Sequence, residues 1–453
     1  MFAPVATNAW RRAVRATRVE PFAAARRGGS IRPTPMRAAL LQCRSPRKMI
    51  AVRLKDRTIV VGVTASIAAY KAAELVRVLV ARGAKVKVMI TRGAAEFIAP
   101  LTFQTLSGSP VASDLFSLTQ ESEIGHIRLA DMADAIVIAP ASADFIAKVA
   151  LGLADDLPST VLLATRCPVA FAPAMNVHMY QHPATTENLN RLRARGCAII
   201  EPEQGSLACG YEGVGRLAEP ADIADEVERL VCARDLAGER ILITAGPTQE
   251  PIDPVRFVSN RSSGKMGFAL ARAAWMRGAD VRLVAGPSAQ RAARSVERFD
   301  VRQASEMLDL TARNFPWCTT LIMAAAVADF RPTKPAARKI KKRADGLTLT
   351  LEPIADELPN LAQKKGARLM VGFAAETDSL RENALKKLRE KNLDLIVGND
   401  VSQQGAGFGT DTNIVTITDR EGLTENYPMM SKDDVAHVIL DWVVRMRRAR
   451  EGP

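Results

Sequence analysis

Hydrophobic positions in this chain fall in short unbroken runs separated by amphipathic stretches, an alternation that begins at Arg57. "TIVVGVT" (58–64) is apolar at nearly every position, as a parallel strand covered on both faces should be. "SIAAYKAAELVRVLVARG" (66–83) follows with helical spacing, Ser66 as its N-cap and Gly83 as its stop. "KVKVMIT", a helix from about Ala94, "DAIVIAPA", a helical region to about Thr165, "PVAFAPAM" and "AIIEP" continue the pattern. A closing helix and short linker, "ADIADEVERLVCARDLAGER", come next. The pattern then restarts with "RILITAG", a long loop, "MGFALARAAWMRG" and "DVRLVAG", followed by the strands "TTLIMAAAV", "RLMVGFAAE" and "LDLIVGN".

Strands alternating with helices predict an α/β protein of two doubly wound, Rossmann-like domains with mainly parallel sheets, 49–235 and 236–453. The two halves share a layout without a residue-level repeat. Ligands of such sheets bind beyond the carboxyl ends of the strands. Here those ends read "GVTAS", "MITRGA", "APASAD", "APAMN", "TAGPT", "AAAVADF", "GFAAET" and "GND", small or polar turns in every case. Eight of them predict two ligand sites.

The net charge of +13 changes the picture once it is located. Residues 1–48 carry eleven Arg or Lys against Glu20 alone, while the remaining chain has 51 basic and 48 acidic residues. The basic excess therefore belongs to an Arg-, Ala- and Pro-rich extension expected to be disordered. Its composition resembles a transit peptide, but a start assigned upstream of a true start at Met49 is the favoured account. The near-neutral remainder gives no sign of nucleic-acid binding, and no apolar run reaches membrane-spanning length. Six cysteines without CxxC spacing argue against structural zinc and a disulfide framework, and of the four histidines only His178 and His182 have HxxxH spacing. A reducing, cytoplasmic setting fits best.

Nucleotide fingerprints fail. Residues 62–67 read GVTASI rather than GxGxxG. "SNRSSGKMG" has Ser259 where a Walker A loop begins with glycine and Met266 where it ends with Ser or Thr. Ser262, Ser263, Gly264 and Lys265 nonetheless precede a helix, which makes either an anion site or an ordinary polar cap. His126 opens a helix, where a lone histidine is ordinarily a surface or capping group. Asn176, in "APAMN", has an amide suited to a carboxylate; Met175 beside it reads first as packing. Cys209 lies in "GSLACGYEGVGRLAEP" (205–220), a glycine-rich loop open to packing, a disulfide, a metal or chemistry on a small molecule.

In the second half, Lys339 and Lys341 of "RKIKKR" share a face if that segment is a hairpin arm. Lys387 and Lys391 are four apart in a helix that opens on a Ser379–Glu382 capping box. Each lysine pair is a solvated surface by default. Together with Asp329 in "AAAVADF" they point to a nucleoside triphosphate.

The motifs "IAAYK", "GHIRLADMADAIVIAPASAD", "PAMNVHMY", "ACGYEGVGRL", "ITAGPTQEPIDPVRFVSNRSSGKMG", "AAAVADF", "KIKK", "GFAAET" and "NLDLIVGNDVS" occur in one order between Arg57 and Arg445. In that order they resemble the bifunctional coenzyme A biosynthesis family (CoaBC, Dfp), in which a phosphopantothenoylcysteine decarboxylase is fused to a phosphopantothenate–cysteine ligase. The resemblance implies an FMN-dependent decarboxylase in the first half. Its FMN contacts fall on Ser66, Thr91, Ser142 and Asp144. His126 falls on the active-site histidine, Met175 and Asn176 on the substrate segment, with Asn176 at the substrate carboxyl, and Cys209 on the proton donor of a flap. Chemistry is then the role of Cys209. Ala65 stands where many relatives have glycine, and a left-handed backbone there would be strained and weaken flavin binding.

For the second half the resemblance implies CTP-dependent ligation through an acyl-cytidylate. Met323, Ala324, Ala325, Asp329, Lys339, Asp356, Phe373, Lys387 and Lys391 fall on CTP positions, and Arg256 and Asn260 on the substrate segment. Asn260 and Lys339 are tied to catalysis. "IADEL" (354–358) replaces the relatives' "NPDI" and keeps only Asp356. Mg2+ is expected with CTP, without ligands being assigned. The remaining expected partners are 4'-phosphopantothenate, L-cysteine and further copies of this chain, in a dodecamer of trimers and dimers. A flavin-fold regulator acting on a phosphatase is a non-enzymatic alternative, opposed by the joint presence of His126, Asn176 and Cys209. Another flavoprotein fused to a nucleotide-binding domain would lack the "ACGYEGVGRL" flap.

Overall fold

The first group of apolar runs forms a six-stranded sheet: β1 (Thr58–Val63), β2 (Lys85–Ile90), β3 (Val111–Ala112), β4 (Ala135–Ala141), β5 (Val169–Pro173) and β6 (Ala198–Ile199). The strands are all parallel and lie in the order β3–β2–β1–β4–β5–β6, the doubly wound arrangement. The computed structural model describes residues 54–115, 125–206, 210, 212–342, 346–354, 358–376, 386–400, 407 and 409–451. The N-terminal extension, Cys209, Asp356 and the Ser379–Glu382 capping box lie outside the described residues.

Alternation along β1 explains its unbroken hydrophobicity. Ile59, Val61 and Val63 pack with Leu75 and Leu79 of helix Ala69–Ala81 and Ile223 of helix Pro220–Val231. Val60 faces the other layer, with Ile136, Ile138, Phe145 and Phe171. Helix Ala69–Ala81 begins after Ala68 rather than at Ser66, whose hydroxyl instead accepts from the Ala68 N–H in the preceding turn. The helix expected from about Ala94 is two short ones, Arg92–Ala95 and Pro100–Ser107, because Pro100 starts a new helix at its first position.

β7 (Glu203–Ser206) and β8 (Glu212–Arg216), which flank Cys209 in sequence, pair antiparallel. The second sheet contains β9 (Arg240–Ala245), β12 (Asp280–Ala285), β13 (Glu297–Asp300), β14 (Thr320–Met323), β17 (Leu369–Glu376), β18 (Leu395–Asp400), β19 (Thr412–Asp419) and β20 (Thr424–Ser431). Its order is β13–β12–β9–β14–β17–β18–β19–β20, parallel as far as β18 and antiparallel beyond. Two hairpins stand off this sheet: β10 (Gln249–Pro251) with β11 (Phe257–Ser259), and β15 (Phe330–Pro332) with β16 (Leu351–Pro353).

The β15–β16 hairpin is the base of the expected arm, but its pairing stops well short of the basic run. Lys339 and Lys341 are therefore not strand neighbours sharing a face; they sit on irregular backbone, both exposed. Helix Pro220–Val231 touches helix Ala69–Ala81 of the first half and helix Lys265–Met276 of the second. Arg272 donates there to Asp225 at 3.0 Å and Glu228 at 2.9 Å, and Arg82 adds a second cation to both carboxylates.

Candidate active sites

The first site is built at the carboxyl edge of β2, β1 and β4. Val63 pairs with Ile90, which brings the turns after both strands side by side. Thr91 caps the helix Arg92–Ala95 by accepting from Ala94 N–H, and Ser142 caps the helix Ala143–Leu151 by accepting from Phe145 N–H. Ser66, Thr91 and Ser142 thus lie on three adjacent strand ends. Asp144 sits in the first turn after Ser142, exposed, 3.7 Å from Lys148. Ala65 has no left-handed backbone: among the described non-glycine residues only Asp56 and Asn392 have positive φ. The strain expected at this position is absent.

Thr64 holds these turns together and was not singled out by sequence. Its side chain is buried, donates to Pro140 O at 2.8 Å and accepts from Ser142 N–H at 2.8 Å. A threonine closing an apolar strand carries no local signal that it will bridge to a strand end 78 residues later.

The "APAMN" segment follows β5. Asn176 caps helix Val177–Gln181, its Oδ1 accepting from His178 N–H at 2.8 Å, so the capping end of the amide is its oxygen. The Met175 N–H donates to Gly215 O at 3.0 Å, which joins this segment to β8. His126 is the first residue of helix His126–Met132, which leads into β4. Burial and the neighbouring Glu201 carboxylate, to which Tyr180 donates, push the Tyr180 hydroxyl well above its ordinary pKa.

The second site is a cavity of about 500 Å³ at the carboxyl ends of β9, β14, β17 and β18. Met323, Ala324, Ala325, Asp329, Phe373, Lys387, Lys391 and Asn260 all line it. Its floor is pinned by the turn after β9. Ala325 N–H donates to Thr244 Oγ1 at 3.3 Å and Ala328 N–H to Thr248 Oγ1 at 2.9 Å. The Asn260 amide donates to both Ala326 O and Val327 O at 3.1 Å, locking the "SNRSSGK" loop onto "AAAVADF". Lys391 N–H donates to Lys387 O, so the two side chains share one helical face.

Sequence reasoning noted Ser262–Lys265, which do line the cavity, but missed Lys432 and Asn399. Gly264, at φ +79°, caps helix Lys265–Met276, and Lys265 pairs with Asp411 at 2.6 Å. Lys432 is buried and donates to Thr410 O; burial, aided by Lys265, pushes its pKa down. Asn399 Oδ1 is buried with no hydrogen-bond partner among the described residues. Arg256 and Lys339 are not on the cavity wall. Arg256 donates to Asp253 at 2.8 Å and Ile340 O at 3.2 Å.

Residues 50–232 match the Flavoprotein family, and residues 236–446 match the family described as DNA/pantothenate metabolism flavoprotein C-terminal domain. The chain is 46% identical to the coenzyme A biosynthesis bifunctional protein CoaBC of Bacillus subtilis, over 87% of this chain and 98% of that protein. The Escherichia coli K12 protein of that name is also 46% identical, over 86% and 97% respectively. The chain belongs to the CoaBC family.

As a CoaBC-family protein it is a bifunctional enzyme of coenzyme A biosynthesis, a phosphopantothenate–cysteine ligase and a phosphopantothenoylcysteine decarboxylase. A solved C-terminal domain of a CoaBC protein is 41% identical, covering 47% of this chain and 98% of its own, with a TM-score of 0.41. A PPC decarboxylase mutant complexed with pantothenoylaminoethenethiol is 30% identical over 38% of this chain and 97% of its own, with a TM-score of 0.35. Among the described residues no helix is long and apolar enough to cross a membrane.

Proposed function

We propose that residues 49–235 carry the decarboxylation and 236–453 the ligation, with FMN in the first half and CTP with Mg2+ in the second. The observation that carries this reading is the cavity that gathers Asn260, Asp329, Phe373, Lys387 and Lys391 from distant parts of the second sheet. Lys387 and Lys391, with Lys339 of the basic arm, suit a polyphosphate. The orphaned Asn399 Oδ1 suits a donor on the nucleotide.

In the ligation the 4'-phosphopantothenate carboxylate attacks the α-phosphorus of CTP, and pyrophosphate leaves. The cysteine amine then attacks the acyl carbon, and CMP leaves. Lys387 and Lys391 offset charge that builds on the phosphates. Asn260 keeps the loop at Ala326 and Val327 in position for the transfer step. Arg256 belongs to the same substrate segment, Met323, Ala324 and Ala325 form the nucleotide floor, and Asp356 is a further CTP contact.

The hydroxyls of Ser66, Thr91 and Ser142 on neighbouring strand ends fit the phosphate and polyol of FMN, with Asp144 at the rim. Bound FMN supplies a two-electron acceptor for the cysteinyl thiol of the substrate. Asn176 orients the substrate carboxyl, Met175 packs beside it, His126 serves as the active-site histidine, and Cys209 of the flap delivers a proton. The working particle is a cytoplasmic homo-oligomer, a dodecamer of trimers and dimers.

A single assay tests both halves: protein with phosphopantothenate, cysteine, CTP and Mg2+, products followed by mass, with Cys209→Ser beside it. Phosphopantetheine from the parent, and accumulation before the final protonation in the variant, are the expected results. Absence of both products from folded, flavin-loaded protein would overturn the reading.

A further inference from the structure

The "QEPIDPVRF" turn between β10 and β11 contains a carboxylate whose use is not local. Asp253 Oδ1 accepts from Val255 N–H and Arg256 N–H, both at 2.8 Å, an Asx-type turn expected of Asp before Pro. Its second oxygen leaves the turn. Oδ2 accepts from Arg256 Nη1 at 2.8 Å and from Ile340 N–H at 3.1 Å, 87 residues away. Arg256 Nη1 also donates to Ile340 O at 3.2 Å. An Asp–Arg pair therefore grips Ile340 at both its N–H and its C=O. The Asp253 side chain has no exposed surface, whereas Lys339 and Lys341, on either side of Ile340, are exposed.

The arm needs such a grip. Strand pairing ends near Thr333–Thr350, so no ladder orients residues 338–342. A second tie, Ala336 N–H to Ile252 O at 2.9 Å, joins the arm to the same turn. The arm springs from the cavity rim, since Asp329 lines the cavity and immediately precedes β15.

We propose that Asp253, with Arg256, is a positioning device for the ligation, clamping Ile340 so that the flanking lysines are presented to the nucleotide polyphosphate. This rests on the reading of the basic arm as the nucleotide's partner. Arg256 then acts through the arm, and Asp253 is a residue neither composition nor motif singled out.

The test compares Asp253→Asn, Ile340→Pro, their double variant and Lys339→Gln in the full chain. Asn at 253 keeps one oxygen for the turn but turns an NH2 toward two donors; Pro at 340 removes the gripped N–H with Asp253 and Arg256 intact, while also fixing φ there and restricting Lys339. Asp253→Asn should raise the KM for CTP about tenfold to a hundredfold. Decarboxylation of supplied phosphopantothenoylcysteine should be unchanged, which also reports folding. Ile340→Pro should match it, and the double variant should lose little more than either alone. Tryptic cleavage after Lys341 should quicken in Asp253→Asn. If cleavage is unchanged, or if Lys339→Gln impairs ligation while Asp253→Asn and Ile340→Pro do not, the clamp is wrong. If Lys339→Gln ligates normally but cleavage quickens in Asp253→Asn, the clamp stands and the arm's assignment to the nucleotide fails.

Discussion

The Met175 amide donates to the Gly215 carbonyl at 3.0 Å, so the segment after β5 and strand β8 are one hydrogen-bonded unit. Glycine is required there for space: a Cβ at Gly215 would fall 2.3 Å from Met175 O. Gly215→Ala should push the two apart and lower decarboxylation about tenfold to a hundredfold. Ligation by the same protein should persist. Measuring the two half-reactions separately checks this, and equal loss of both would mean general misfolding instead.

Thr64→Val keeps the shape of the β1 end but leaves Ser142 N–H without its acceptor and Pro140 O with only the Thr64 N–H at 3.3 Å. A cost of about 1–3 kcal/mol should fall on the turn that bears Ser142. Flavin retention, read from visible absorbance after gel filtration, should drop while the CTP-dependent half-reaction stays at parental rate.

Lys387→Gln and Lys391→Gln each remove one cation from the same wall of the cavity. Each should raise the KM for CTP about tenfold, and the parent's salt dependence of that KM should flatten in the double variant. Titration of initial rates against CTP at two ionic strengths measures both effects.

Arg272 bridges the two halves through Asp225 and Glu228. Burial pushes the Glu228 carboxyl up, and the guanidinium groups of Arg272 and Arg82 oppose that rise. Arg272→Met leaves Arg82 as a partner for both carboxylates, so the loss should be about 2 kcal/mol rather than the full cost of stranding a buried charge. Denaturant unfolding should report it.

Burial, with Arg277 adding to it, pushes the half-buried His437 imidazole down to about 4 from an ordinary 6.5. The unfolded chain therefore binds this proton first as pH falls. Stability associated with His437 is fully present above about pH 6.5 and is lost progressively toward pH 4. His437→Gln should have a shallower decline of melting temperature across that window than the parent. Identical slopes would remove His437 as a contributor.

The strands and helices were legible because burial of both sheet faces writes itself locally, as unbroken apolar runs and helical spacing. The small and polar strand ends were legible too, and so was the family, through ordered motifs. Boundaries failed where local chemistry had two outcomes: Ser66 bonds within a turn rather than capping, and Pro100 divides one expected helix into two. What only the tertiary structure decided are the cross-chain pairings: Thr64 with Ser142, Asn260 with Ala326, Asp253 with Ile340, and Lys432 on the cavity wall. Their partners are 66 to 87 residues away for the three hydrogen bonds, and no residue's own neighbourhood in sequence encodes them. Sheet order brings those groups within bonding distance, and sheet order follows from how whole layers bury their apolar faces. Periodicity records which way a side chain faces; the partner it finds depends on the packed core.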